Sequence, residues 1–228
     1  MGETTMPKRT LTAMLTAALL AAAPLLFAQS QSGEALPADI DPVSLSRLPV
    51  ITRDDLDDEG KRVYDLVVGD GPPPTTGPRH FTLYSPRLAE GYHIINDYLR
   101  YNGVLSPRHT EVAILVAAWE IEQQYEYSAH EPAALRYGAP QAVIDTIKYG
   151  REPEGLSPEE TLIINFGRQL FREHRLDSEL YAEAVEYFGE QGVVELATVM
   201  GDYVMAGLVL TAIDQHLPPD RPALLPPR

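Results

Sequence analysis

Apolar positions in this chain recur at intervals of three and four residues, and no stretch alternates apolar and polar residues as a half-buried strand does. The pattern predicts an all-α protein. Across residues 54–68, Leu56, Val63, Leu66 and Val67 fall on one side of a helix, which the proline- and glycine-rich stretch 69–78 then stops. Ser85-Pro86 opens a second helix carrying Leu88, Tyr92, Ile95 and Leu99 at helical spacing, with a stop near Asn102-Gly103. Ser106-Pro107 and Ser157-Pro158 repeat that start signal, a capping hydroxyl followed by a proline in the first turn, where its missing N–H costs nothing. The first leads into residues 112–119, apolar enough for a central buried helix, then a bend near Gln123 and a further helix over 125–137 closed by Gly138. Pro140 starts a short helix with Val143, Ile144 and Ile147 inward, and Pro158 one with Leu162, Ile163, Phe166, Leu170 and Phe171 inward. Residues 177–188 are amphipathic and end at Gly189. Residues 192–213 form the most apolar segment, yet Glu195 and Asp202 lie within it, which favours burial in protein, partly against another subunit, over a membrane span.

The two ends follow other rules. Lys8 and Arg9 precede an apolar run over 11–28, and small residues follow at Ala28, Ser30 and Ser32. That is the layout of a secretory signal peptide. As an anchor the run falls short of the roughly 20 apolar residues a span needs, and Thr12, Thr16 and Pro24 interrupt it. Residues 1–30 thus read as a signal peptide and 31–52 as an extended, polar arm. Residues 53–217 make one helical domain, followed by a proline-rich tail over 218–228. The expected location is the periplasm or the exterior.

Composition narrows the chemistry. The 228 residues include 33 acidic and 18 basic side chains, for a net charge of −15, and no cysteine. A field of that sign repels phosphate backbones and anionic lipid, and no basic patch offsets it. Nucleic acid and, after signal cleavage, membrane are therefore not expected partners. Without sulfur nucleophiles the chain has no disulfide framework, no thiolate metal site and no thiol-based peroxidase or protease chemistry.

Polar residues able to do chemistry crowd between Arg108 and His130. Glu126 and His130 are four apart and share a helical face, a spacing that brings a carboxyl and an imidazole together for acid/base work near neutral pH. Glu111 lies one turn into the buried helix, where its carboxylate either reaches the edge of the core or simply complements the helix dipole. Trp119 and Tyr127 are candidates to line a substrate pocket, or are core aromatics like Tyr125. Glu111, Glu126 and His130 also offer two carboxylates and an imidazole to a divalent ion, but the repeated Glu-x-x-His pattern of helical di-iron sites is absent. Of the remaining histidines, His109 falls in the first turn of its helix, within reach of local backbone, and His80, His93, His174 and His216 are isolated; Asp202 is expected to be buried with a hydrogen-bond partner.

The run Arg108-His-Thr-Glu111, the apolar stretch to Trp119, and Gln124-Tyr-Glu126-Tyr-Ser-Ala-His130-Glu-Pro, followed by Ala134 and Gly138, resembles the signature of the carboxymuconolactone decarboxylase family, within the AhpD-like fold. The resemblance extends less sharply over 53–217. It implies an all-α, single-domain helical bundle assembled as a homotrimer or homohexamer. The alkylhydroperoxidase branch carries two cysteines three apart and a histidine four residues after the second; here those positions hold Gln123, Glu126 and His130. What remains is similar to the decarboxylase-like branch, which implies Glu111, Glu126 and His130 as catalytic proton-handling groups, with His130 protonating carbon and Glu126 orienting it. Arg108 resembles a family arginine that pairs with Glu111 or holds a substrate carboxylate. The implied activity is a cofactor-independent lyase or isomerase step on a small cyclic or lactone carboxylic acid; a non-catalytic small-molecule-binding oligomer and a metal-dependent enzyme are the alternatives.

Overall fold

The computed structural model describes residues 1–2 and 36–227, so the apolar run at 11–28 lies outside the described residues. Among those residues the regular elements are helical, apart from one isolated antiparallel bridge between Asp41 and Ser46. A short 3-10 turn, Arg53–Asp55, precedes α1 (Asp58–Val67). Next come α2 (Pro78–Phe81), which runs into a 3-10 turn, and α3 (Pro86–Asp97), which continues into a π-helical turn, Tyr98–Asn102. The chain continues through α4 (Pro107–Glu120), α5 (Gln124–Arg136), α6 (Gln141–Lys148), α7 (Pro158–Glu173) and α8 (Ser178–Ala212).

The bundle is built around α4, which packs on α5, α6, α7 and α8. Every residue from Val112 to Ala118 is at most 2% exposed, so this helix is covered on all sides. Small residues let its neighbours approach: a Cβ on Gly167 of α7 would sit 2.4 Å from Cγ1 of Val116. Both predicted caps form, with Ser106 Oγ accepting from the N–H of His109 and Ser157 Oγ from that of Glu160. The predicted bend also stands where expected. Glu122 adopts a left-handed conformation (φ 56°), and the Gln123 amide ties the start of α5 to α8 by donating to the carbonyl of Gly207 and to Thr211 Oγ1, both at 2.9 Å.

α8 breaks at Gly189, whose φ of 70° and ψ of 170° suit only glycine, in agreement with the two segments read from the sequence. The helix has the length and composition to cross a membrane, and 56% of its most apolar stretch is buried inside the protein.

Three expectations need correction. The loop expected over 69–78 ends one residue early, because Pro78, after Gly77 (φ 75°), starts α2, which runs into its 3-10 turn. In α1, Val63, Tyr64 and Val67 are buried, Val63 and Val67 against Ala89 of α3, but Leu66 lies off that face and is exposed. In α3, Tyr92 is buried with Ala89, as is Leu99 in the π-helical turn that follows, whereas Leu88 and Ile95 are exposed. Asn96 and Arg100 continue the inward face that Tyr92 begins.

The two terminal segments are wrapped onto the bundle. The N–H of Arg47 donates to the carbonyl of Ile213, and the N–H of His216 to that of Leu45. The tail follows α5, with Leu224 and Leu225 against the main core and the N–H of Leu224 donating to Ser128 Oγ at 3.0 Å.

Candidate active site

The α4–α5 hairpin brings Glu111, Glu126 and His130 together, because residues before and after a tight turn face each other across antiparallel helices. Glu111 and Glu126 are each 2% exposed and His130 8%. His130 Nδ1 lies 2.5 Å from Glu111 Oε2, and its Nε2 lies 3.5 Å from Glu126 Oε2. The imidazole also stands edge-on to the Tyr203 ring of α8, with centroids 4.8 Å apart. Three helices therefore fix its orientation.

The second oxygen of Glu111 accepts from Arg100 Nη2 at 2.8 Å. Arg100 comes from the π-helical turn after α3, and α8 holds that turn in place. Glu195 accepts from the hydroxyl of Tyr98 at 2.6 Å and from the N–H of Val104 at 2.7 Å. Gly103 is needed for this approach, since a Cβ there would lie 2.6 Å from Glu195 Oε2. Burial alone would raise the Glu111 pKa, but the hydrogen bond and charge of His130, together with Arg100, outweigh it and hold the carboxyl below its ordinary value. Against an ionised Glu111 the Nδ1 of His130 is the donor, and Nε2 is the ring nitrogen that faces Glu126.

Glu126 is the opposite case. Complete burial drives its pKa up to about 7 despite the nearby charge of His130, and Asp202 pushes the same way. Among the described residues its Oε1 has no hydrogen-bond partner. Asp202, buried on α8, accepts from Asn96 Nδ2 at 2.9 Å, as expected for that residue, and burial raises its pKa too. The site thus sets one carboxylate fixed as an anion against one carboxyl that titrates near neutrality. Pairs pushed apart in this way separate acid from base.

The roles within the trio differ from those inferred from the sequence. Glu111, not Glu126, makes the short contact that orients His130. The guanidinium on Glu111 belongs to Arg100, whereas Arg108 lies 3.7 Å from Glu160 on α7 and 3.3 Å from the His109 ring. Tyr127 is fully buried on another face of α5, near the Lys148–Glu131 ion pair. Trp119 donates from Nε1 to the carbonyl of Lys148 at 3.1 Å and carries Arg172 over its ring. None of these three contacts falls within the Glu111–Glu126–His130 cluster. Arg100 was missed by sequence reasoning; its only signal was its place four residues after Asn96 and eight after Tyr92 on one helical face.

Both Glu111 oxygens are already engaged, and among the described residues no group of three or more His, Asp or Glu is arranged to hold a metal ion.

Neither a protein-family model nor a curated protein matches the chain. Solved structures do. An uncharacterised peroxidase-related protein from Ralstonia eutropha, an alkylhydroperoxidase AhpD core, is similar over 76% of this chain and 93% of its own, with 16% identity and a TM-score of 0.62. A debrominase solved in complex with 2,3,4-tribromopyrrole is similar over 75% of this chain and 90% of its own, with 14% identity and a TM-score of 0.55. At such identities the likeness is one of architecture, and it is clear on that point: this chain has the all-α, AhpD-like fold.

Proposed function

We propose that this protein is a cofactor-independent proton-transfer enzyme of the carboxymuconolactone decarboxylase type, acting on a small cyclic or lactone carboxylic acid. The observation that carries the proposal is the pairing of His130 Nδ1 with an anionic Glu111 while Nε2 faces the protonatable Glu126. In a decarboxylation the bond to the leaving carboxylate breaks and its electron pair remains on carbon as an enolate. That carbon then takes a proton from Glu126 or from the His130 imidazolium, and solvent restores it. In an isomerisation His130 Nε2 removes the carbon-bound proton and Glu126 supplies one elsewhere. Glu111, itself held by Arg100, keeps the ring oriented with Nε2 toward Glu126.

The signal-peptide pattern at 1–30 supports export. An apolar face exposing Ile94, Ile95 and Tyr98 on the α3 side, and Val194, Met205 and Leu208 on α8, supports assembly into a homo-oligomer.

The test is to incubate the protein without residues 1–30 with a panel of lactone acids and cyclic carboxylates, following carbon dioxide release and deuterium uptake from solvent at carbon. Either signal, lost in His130→Ala, supports the proposal. Full activity in both His130→Ala and Glu126→Gln sinks it. Ligand binding without turnover across the panel would favour the binding-protein alternative.

A further inference from the structure

The C-terminal segment does more than cover apolar surface. Leu217 packs with the cluster that contains Phe81, Tyr92 and Tyr125, and the Leu224 N–H is pinned to Ser128 on α5. Between these anchors the N–H of Arg221 donates to the carbonyl of Pro218 at 2.9 Å, closing a turn. The turn sets the Arg221 guanidinium over the Tyr125 ring, 4.8 Å from its centroid. Tyr125 is itself buried and fixed, its hydroxyl donating to Thr76 Oγ1 at 2.9 Å.

Arg221 is therefore a cation held on a rigid aromatic platform, the ring of the residue that precedes Glu126 on α5. Among the described residues it makes no ion pair, and its buried Nη1 has no hydrogen-bond partner. Glu126 Oε1, on the neighbouring residue of α5, is likewise buried and unpartnered. The positive charge of Arg221 acts on Glu126. Buried donors and acceptors are rarely left unmatched unless something else completes them. A guanidinium presents a flat fork of donors that matches a carboxylate.

We propose that Arg221 is the anion receptor of this site, binding the carboxylate of a small organic acid whose other end lies against Glu126 and His130. The proposal rests on the proton-transfer function for the place of the reacting carbon. It assigns the tail a part in substrate binding, and it sets the ligand class as an organic monocarboxylate or dicarboxylate rather than a neutral ring.

The experiment uses γ-carboxy-γ-butyrolactone and its methyl ester as probes, with affinities read by calorimetry on the wild type, Arg221→Gln, Arg221→Lys and His130→Ala. The acid is expected to bind the wild type at least about tenfold more tightly than the ester, and Arg221→Gln to lose about that factor for the acid alone. Arg221→Lys, which keeps the charge but not the fork, should recover part of it. Thermal midpoints of the variants establish that each is folded. Equal affinity of acid and ester, no binding of the acid by the wild type, or an unaltered acid affinity in Arg221→Gln each overturns the proposal. The His130→Ala arm separates it from the function it rests on. Acid binding that depends on Arg221, with no deuterium uptake even in the wild type, refutes proton transfer and leaves the receptor standing. Uptake that is undiminished in Arg221→Gln does the reverse.

Discussion

Glu126→Gln removes one titration from the heart of the bundle and leaves the side chain almost the same shape, so the pH dependence of its effect on stability reports on a single carboxyl. In the folded protein burial lifts Glu126 from the ordinary 4.5 to about 7. Below about pH 4 the group is protonated in both folded and unfolded chains, and its burial costs no ionisation energy. As pH rises from there to about 7 the unfolded chain loses the proton that the folded chain keeps. The unfolded state then binds fewer protons, and stability falls. Above about 7 both states are ionised and the penalty is complete, about 3 kcal/mol for that difference in pKa. Glutamine never ionises, so the variant escapes the penalty. Urea unfolding followed by circular dichroism at intervals from pH 4 to 9 should show Glu126→Gln close to the wild type at the acid end. It should gain progressively to about 3 kcal/mol near pH 8. A difference that stays constant across the range, or one that grows toward acid, refutes the assignment of a raised pKa to Glu126.

Glu111 gives the opposite sign: its pKa is held down, so its contribution is present above the ordinary carboxylate range and is lost as pH falls. Glu111→Gln should therefore flatten the acid limb of the same stability profile, as urea midpoints between pH 6 and 3 would show. Arg100→Met strands a buried carboxylate beside an imidazole and should cost on the order of 3 kcal/mol by chemical denaturation, where a loss below about 1 kcal/mol contradicts the pairing. Gly189→Ala forces a side chain into a backbone conformation reserved for glycine and should cost about 1–3 kcal/mol, read as a lowered thermal midpoint without loss of helix content. His130→Ala should reduce turnover by about 10²–10⁴-fold on whatever acid the panel identifies, with the fold retained.

The helical order was legible because each signal is local. Ser-Pro starts, glycine stops and the uniform apolarity of 112–118 depend on residues within a turn or two of one another, and they placed α4, α5, α7 and both halves of α8. The Glu126–His130 pair was legible for the same reason, since spacing along one helix defines a face. Glu111 could be suspected only because it borders the apolar run. Arg100 could not be paired with it from sequence, because the contact depends on a π-helical turn that rotates the end of α3 and on Glu195, ninety-five residues further on, holding that turn down. The inward face of α3 was misjudged on the same grounds. Its sequence is apolar on two sides, and only the packing of α1 and α8 determines which side is covered. The tail reads as extended, and nothing in five prolines says that it turns at Pro218–Arg221 or that Leu224 will find Ser128.

Gln123 and Glu126, at the start of α5, do different work. Gln123 is structural, its amide donating to Gly207 and Thr211. Glu126 is titratable. An ordinary glutamate there would be ionised at neutral pH and useless as an acid. Burial among α3, α5 and α8 moves the carboxyl to about 7, into the range where a proton can be both held and given up. The same burial keeps Glu111 ionised only because Arg100 and His130 supply compensating charge. The cluster sets the His130 ring between an anion and a ready acid. The arrangement is suited to moving protons to and from carbon.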